Sequence, residues 1–414
     1  MNHPFAWTFL AALLLSSGTR LWLALRQARH VRAHRGAVPE SFSGSIALAA
    51  HQKAADYTVA KTRLAMVDIC LSAALVLLLT FGGMLQRISD AWDMVAAPAG
   101  IAHGVALIAT VVLLLSLADL PLALYRTFVV EQRFGFNRMT PALFLADLAK
   151  QALVSALLGL PLLVLVLWLM ARMGELWWIW VWAAWTAFNL LVLLLYPSFI
   201  APIFNKFSPL SDQGLAARIE ALLVRCGFRS SGLYVMDGSK RSSHGNAYFT
   251  GFGAAKRIVF FDTLLSRLAP GEIEAVLAHE LGHFKRHHVW KRLALMFAAS
   301  FALLWGLGQL IGQPWFYGDL NVGTQSTATA LLLFALVLPA FTFFLQPIAS
   351  LHSRRHEFEA DAYAASHASA AELVQALVKL YQDNASTLTP DPIHSAFYDS
   401  HPPAAMRIAR LRTT

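Results

Sequence analysis

The chain has 414 residues, of which 57% are hydrophobic and only 14% charged, with 12 Trp and 27 Phe. A soluble protein carries about 25% charged residues, so this composition excludes an ordinary water-soluble fold and makes lipid the expected solvent. The net charge of +9 does not read as a nucleic-acid surface, because the basic residues cluster between apolar runs and form no aromatic-interleaved basic domain.

Seven apolar runs are long enough, or nearly so, to cross a bilayer as helices of about 20 residues. They cover 5–25, 64–85, 101–124, 149–171, 176–199, 292–312 and 328–349. The first lacks a basic n-region and a small-residue cleavage site, so it reads as a retained span. Cys70 and Cys226 belong to no C-x-x-C pattern, which argues against a disulfide framework and a thiolate metal site. Lys and Arg are unevenly shared among the connections. Segment 26–63 holds seven, 86–100 holds Arg87 alone, 125–148 holds three, 172–175 holds Arg172 alone and 313–327 holds none. By the positive-inside rule the basic connections are cytoplasmic, so segment 200–291 and the C-terminal tail lie on that face. If one weak run, the first or sixth, is not a span, part of this topology inverts.

Segment 200–291 is the first stretch of soluble character. Ser211 is placed to cap a helix running to about Cys226, with Gly227 as its stop. Leu233 to Asp237 and Arg257 to Asp262 read as short strands. Between them, Asn246, Ala247 and Tyr248 lie beside a strand whose edge could bind an extended peptide. Pro270 suits the first turn of the next helix. That helix carries His279-Glu280-Leu281-Gly282-His283. Residues four apart share a helical face, so His279 and His283 can grip one metal ion, and Glu280 beside them can take a proton from water. His287 lies about 12 Å along the helix from His279 and cannot share the ion. His288 does not have the spacing of a three-histidine motif, and both residues read as basic groups at the membrane-facing end.

A third ligand comes most simply from a later carboxylate. Beyond the seventh run, Ser353 to Tyr363 is a predicted helix on which Glu357 and Asp361 share a face, while Glu359 points roughly 160° away from Glu357. Glu357 then binds the metal and Asp361 hydrogen-bonds a ligand histidine. The alternative is a charged, solvated helix face. A further amphipathic helix places Leu373, Leu377 and Leu380 on one stripe. In the tail, His401 and Arg407 are donors of the type that stabilises an oxyanion.

The sequence resembles the type I CaaX prenyl endopeptidases, integral-membrane zinc metalloproteases, over nearly its whole length. Besides the metal helix, the likeness is carried by Tyr125 to Asn137, Tyr196 to Leu210, Ser242 to Phe249 with Asp262 to Leu264, Ser353 to Ala362, and Ser400 to Pro403 with Arg407. The resemblance implies one zinc ion held by His279, His283 and Glu357, with Glu280 as base. It implies that Asp361 either orients a histidine or donates a proton, that Asn246, Ala247 and Tyr248 border the substrate, and that His401 and Arg407 lie near the zinc. It also implies an α-helical integral membrane protein in which seven helices enclose a large chamber, with a small α+β metalloprotease portion at its cytoplasmic end. His356 and Glu359 stand where the family pattern has an aromatic and a Gln, and Asp399 where it has an aromatic.

These readings divide the chain into a five-helix membrane region (1–199), a cytoplasmic catalytic segment (200–291), two more spans (292–349) and a C-terminal catalytic segment (350–414). The expected activity is zinc-dependent peptide hydrolysis, with a peptide or protein substrate that is prenylated at a C-terminal Cys, in a bilayer. The Ala- and Leu-rich composition suggests a bacterial plasma membrane, or the ER membrane if the source is eukaryotic. The rivals are a quality-control protease indifferent to prenylation, a non-catalytic membrane chaperone, and a transporter using Asp68 and Asp119.

Overall fold

The computed structural model describes residues 4–250 and 257–413. Among the described residues, seven helical segments are long and apolar enough to cross a membrane. The first four are built from α1 (Pro4–Ala33), α2 (Leu48–Leu79), α4 (Ile101–Tyr125) and α5 (Pro141–Arg172), with the short α3 (Met84–Asp93) between α2 and α4. The fifth is α6 (Trp177–Leu195), which runs through a π-helical turn at Tyr196–Ile200 into α7 (Ala201–Phe204). A second π-helical turn, Arg126–Glu131, ends the third span. Pro121 and Pro161 lie inside helices, which lipid-embedded segments tolerate because neighbours and local adjustments re-satisfy the freed backbone.

The second span starts at Leu48, well before the apolar run at 64–85. Its first half carries His51, Gln52, Lys53 and Asp56. At 1.5 Å per residue, 32 residues reach about 48 Å, more than a hydrocarbon core of about 30 Å. The helix continues out of the lipid, and hydropathy alone registers only the part inside it. The fifth and sixth spans are the least covered by the rest of the protein, with about 6% of their apolar stretch buried, whereas the seventh is 44% buried. The exposed apolar side chains of the fifth and sixth spans therefore need lipid around them.

The stretch between the fifth and sixth spans adds a four-stranded sheet in the order β1-β2-β4-β3. Its strands are β1 (Phe207–Pro209), β2 (Leu233–Met236), β3 (Ala247–Thr250) and β4 (Arg257–Phe261). β2 and β4 are parallel, Leu233 opposite Ile258, and the other pairs are antiparallel. Two of these strands match the sequence reading, and β3 forms an edge. α8 (Gln213–Arg225) is capped by Asp212, whose carboxylate accepts from Leu215 N at 2.9 Å, in place of the expected Ser211. Gly227 closes it with φ +67°, a left-handed backbone that glycine adopts without penalty.

After α9 (Asp262–Leu265) come α10 (Pro270–Lys285) and the sixth span, α11 (His288–Leu310). The seventh follows α12 (Pro314–Gly318) and consists of α13 (Thr327–Thr342), a 3-10 turn at Phe343–Leu345 and α14 (Gln346–His367), one after another without a loop. The helix expected to carry the third ligand is thus the outward continuation of a membrane span. α15 (Ala370–Asp383), α16 (Pro392–Tyr398) and α17 (Ala404–Leu411) close the chain.

The two largest apolar cores among the described residues hold the ends of the molecule together. One joins α1, α4, α5 and α13 at the far end through Phe9, Leu107, Leu167 and Leu333. The other joins α8, β4, α10 and α15 through Ile219, Phe260, Leu277 and Leu373. All eight side chains are at most 1% exposed. The four of the second core each stabilise the fold by about 1.5–3 kcal/mol before entropy, whereas those of the first, inside the spans, contribute through close packing rather than removal from water. Arg241 fastens the stretch that carries the sheet to the fourth and fifth spans, donating to Asp147 at 2.7 and 2.9 Å, to Asn205 Oδ1 at 2.9 Å and to Phe204 O at 2.6 Å.

Candidate active site

α10 and α14 cross in close contact, and Gly282 permits it. A Cβ at that position would lie 2.9 Å from Ala360 Cα and 3.1 Å from Ala360 O. Backbone this close to backbone brings the rings of α10 onto the carboxylates of α14. His279 Nε2 lies 3.2 Å from His283 Nε2 and 3.4 Å from Glu357 Oε2, and His283 Nε2 lies 3.4 Å from Glu357 Oε1. Among the described residues these three side chains form a group able to hold a metal ion, with donor atoms all within 4.8 Å of one another.

The chemistry of the donor set suits such an ion. Glu357 is 2% exposed, and its Oε2 has His279 Nε2 at 3.4 Å and Arg407 Nη1 at 3.9 Å but no partner in good hydrogen-bond geometry. A buried carboxylate oxygen without a donor is costly unless a cation meets it. Burial alone would lower His279, but the Asp361 and Glu357 carboxylates outweigh it and hold the imidazole at about 9. The same two charges favour a divalent cation. His283 is pushed down to about 3 by burial and by its neighbour His279, so this ring is neutral with a lone pair to offer.

Asp361 Oδ1 lies 2.8 Å from His279 Nδ1, which leaves Nε2 for the metal side. Arg407 donates to both Asp361 oxygens, at 2.8 and 2.6 Å. The arginine expected near the oxyanion therefore spends its fork on Asp361, although its Nη1 remains 3.9 Å from Glu357 Oε2. His401 places Nε2 3.5 Å from Glu357 Oε1 with most of its ring exposed. Glu280 points into the adjoining cavity, and burial raises its carboxyl above the ordinary range. A carboxyl raised by burial beside the paired histidines is placed to exchange a proton with a group in the cavity.

The cavity holds about 330 Å³, and Asn246, Ala247, His279, Glu280, His401 and Arg407 all contribute to its wall. Tyr248 is turned away: its ring packs on Phe261 and its hydroxyl donates to Met236 Sδ at 3.9 Å. Alternation along β3 puts Ala247 toward the cavity and Tyr248 on the opposite face. The far wall is the stripe Leu373, Leu377 and Leu380, joined by Tyr381 and Asn384, which sequence reasoning left out. Tyr381 stands four residues after Leu377, so helical periodicity could have found it. His288 and Glu359 also take part: His288 Nδ1 lies 2.9 Å from His283 Nδ1, and His288 Nε2 lies 3.1 Å from Glu359 Oε2. The reading of His288 as a basic group facing the membrane is therefore corrected, and Glu359 reaches the site although it points away from Glu357.

Comparison with known proteins gives the family. Residues 27–206 match the family described as CAAX prenyl protease N-terminal, five membrane helices, and residues 209–414 match Peptidase family M48. The CAAX prenyl protease 1 homolog of Arabidopsis thaliana is 32% identical over 99% of this chain and 98% of its own length. The chain belongs to the CAAX prenyl protease 1 family of M48 peptidases. The CAAX prenyl protease 1 homolog of Homo sapiens is 34% identical over 72% of this chain and 71% of its own. The crystal structure of S. mikatae Ste24p superposes with a TM-score of 0.93 at 29% identity, covering 99% of this chain and 100% of the other. As a member of this family the chain is a multi-pass membrane metallopeptidase. These relatives are eukaryotic, and none of the comparisons supports the bacterial origin suggested by composition.

Proposed function

We propose that this chain is a zinc endopeptidase that removes the C-terminal residues following a prenylated Cys, with its site on the cytoplasmic face of the membrane. The convergence of His279, His283 and Glu357 next to a cavity that also receives Glu280 carries the reading. Two histidines and one carboxylate are a common ligand set for catalytic zinc, which keeps a further position open. When bound there, zinc supplies a Lewis acid that polarises the scissile carbonyl and acidifies water. Glu280 takes the proton of the attacking water as its oxygen bonds to the carbonyl carbon. The same carboxylic acid then protonates the amine nitrogen as the C–N bond breaks. His401 donates to the oxyanion. Asp361, clamped by Arg407, holds His279 in the tautomer that turns Nε2 inward. The edge of β3 takes the substrate as an added strand, with Asn246 and Ala247 beside the reacting bond and Tyr248 contributing main chain only. The prenyl specificity rests on the names of the relatives, and the cytoplasmic orientation on the Lys and Arg distribution.

The test uses purified protein of known zinc content and two matched peptides, one ending in farnesyl-Cys-aliphatic-aliphatic-X and one unprenylated. Cleavage of the prenylated peptide alone, abolished by a zinc chelator and by Glu280→Gln with zinc retained, is the expected result. Equal cutting of both peptides would replace prenyl specificity with general membrane proteolysis. Cleavage at a normal rate by the Gln variant would remove Glu280 as the base.

A further inference from the structure

We propose that His288 and Glu359 are positioning residues, a two-member relay that fixes the tautomer and orientation of His283. The inference rests on the reading of His279, His283 and Glu357 as a metal site. His288 is fully buried and opens α11, immediately after His287, whose backbone sits at φ +57°. A left-handed backbone is unfavourable for a residue with a Cβ. Here it turns the chain so sharply that His288 folds back alongside α10 instead of continuing away from it. The ring of His356 lies flat against His288, 3.9 Å between centroids and 11° between planes, and holds its orientation.

The hydrogen positions follow from the outer end inward. Ionised Glu359 only accepts, so His288 Nε2 at 3.1 Å is the donor. Neutral His288 then presents Nδ1 as an acceptor. His283 Nδ1, 2.9 Å away, must carry the hydrogen between them. A neutral imidazole with its hydrogen on Nδ1 has its lone pair on Nε2, the atom that faces Glu357 and His279. One assignment satisfies every member, and it aims both ligand rings inward. α14 thus supplies the third ligand and two orienting carboxylates: Asp361 for His279, and Glu359, through His288, for His283.

The experiment measures zinc affinity of the full chain in detergent, by competition with a chromogenic chelator, alongside thermal unfolding of the metal-free protein. His288→Phe keeps a flat ring against His356 and removes the acceptor. It is expected to weaken zinc binding by roughly 10–100-fold, the usual cost of losing such a partner. Glu359→Ala shifts affinity in the same direction by less, and Glu359→Gln, whose amide oxygen still accepts from His288, recovers most of the loss. A purely structural role would lower the unfolding temperature of the metal-free variants and leave zinc affinity alone. Affinities within two-fold of the unaltered chain for both His288→Phe and Glu359→Ala would overturn the proposal. Should His288→Phe not fold, Glu359→Ala decides alone, since that side chain is 45% exposed and its removal leaves no cavity. An unaltered chain that binds no zinc would instead overturn the metal-site reading on which the relay depends.

Discussion

Gly282→Ala tests whether the spacing of α10 and α14 sets the site. The added methyl would meet Ala360 Cα at 2.9 Å, Ala360 O at 3.1 Å and Tyr363 Cβ at 3.1 Å. None of these is the tip of a flexible side chain, so no rotamer change relieves the contact. Carbon atoms pack at about 3.5–4.0 Å, so the helices must part by roughly 0.5–1 Å. Overpacking of this kind costs about 1–3 kcal/mol, which a membrane protein of this size survives. The functional cost is larger, because His279 and His283 ride on α10 and Glu357 on α14. Metal–ligand distances are tolerant to only about 0.2 Å, and a misplacement of about 1 Å at a reacting centre costs on the order of 10²-fold in rate. The expected outcome is a folded variant with weakened zinc retention and about 100-fold slower cleavage, measured by metal analysis and peptide hydrolysis. Gly306→Ala is the control, since a Cβ there meets nothing within 4 Å. A Gly282→Ala protein that binds zinc fully and cleaves within three-fold of the unaltered rate would refute the argument that this contact positions the ligands.

Arg407→Ala leaves the Asp361 carboxylate buried with His279 as its main partner, a loss of about 3–5 kcal/mol that a fall in unfolding temperature would register. Arg407→Lys restores the charge without the two-pronged contact and should fall between. Tyr248→Phe is expected to cleave at the unaltered rate, because its ring faces Phe261, whereas Ala247→Leu narrows the cavity and should raise KM; kinetics on the prenylated peptide separate the two. Glu274 anchors α10 to α8 through Arg218 and Arg225. Burial pushes its carboxyl up, but the two guanidiniums outweigh burial and hold it below the ordinary 4.5. A depressed folded value means the contribution is complete above the unfolded pKa and is lost as pH falls through the folded one. The difference in unfolding temperature between the unaltered chain and Glu274→Gln should therefore be largest near neutral pH and shrink as pH falls below the ordinary carboxylate value; a constant difference from neutral into acid pH would show that the ion pairs contribute nothing.

The parts of this molecule that were legible in its sequence are those governed by local spacing. The i, i+4 pairs His279–His283 and Glu357–Asp361 announced their shared faces because an α-helix repeats whatever surrounds it. The apolar runs announced the spans because lipid imposes a length. What stayed hidden depends on the chain leaving a regular path. Nothing in Arg286-His287-His288 marks a break: there is no Gly or Pro, and uninterrupted helix carries His287 about 12 Å from the metal side and the next residue with it. The structure ends α10 at Lys285, puts His287 at φ +57° and returns His288 to within 2.9 Å of His283. The same holds for Glu359. Its angle from Glu357 on a helical wheel turns it away from the face that Glu357 presents, yet it says nothing about a residue on another helix that comes to meet it. A wheel ranks residues by the face they share, whereas a metal centre is assembled from contacts on several helices at once. Strain at a residue with no local reason to be strained therefore points to His288 as part of the site, where periodicity could only pass it over.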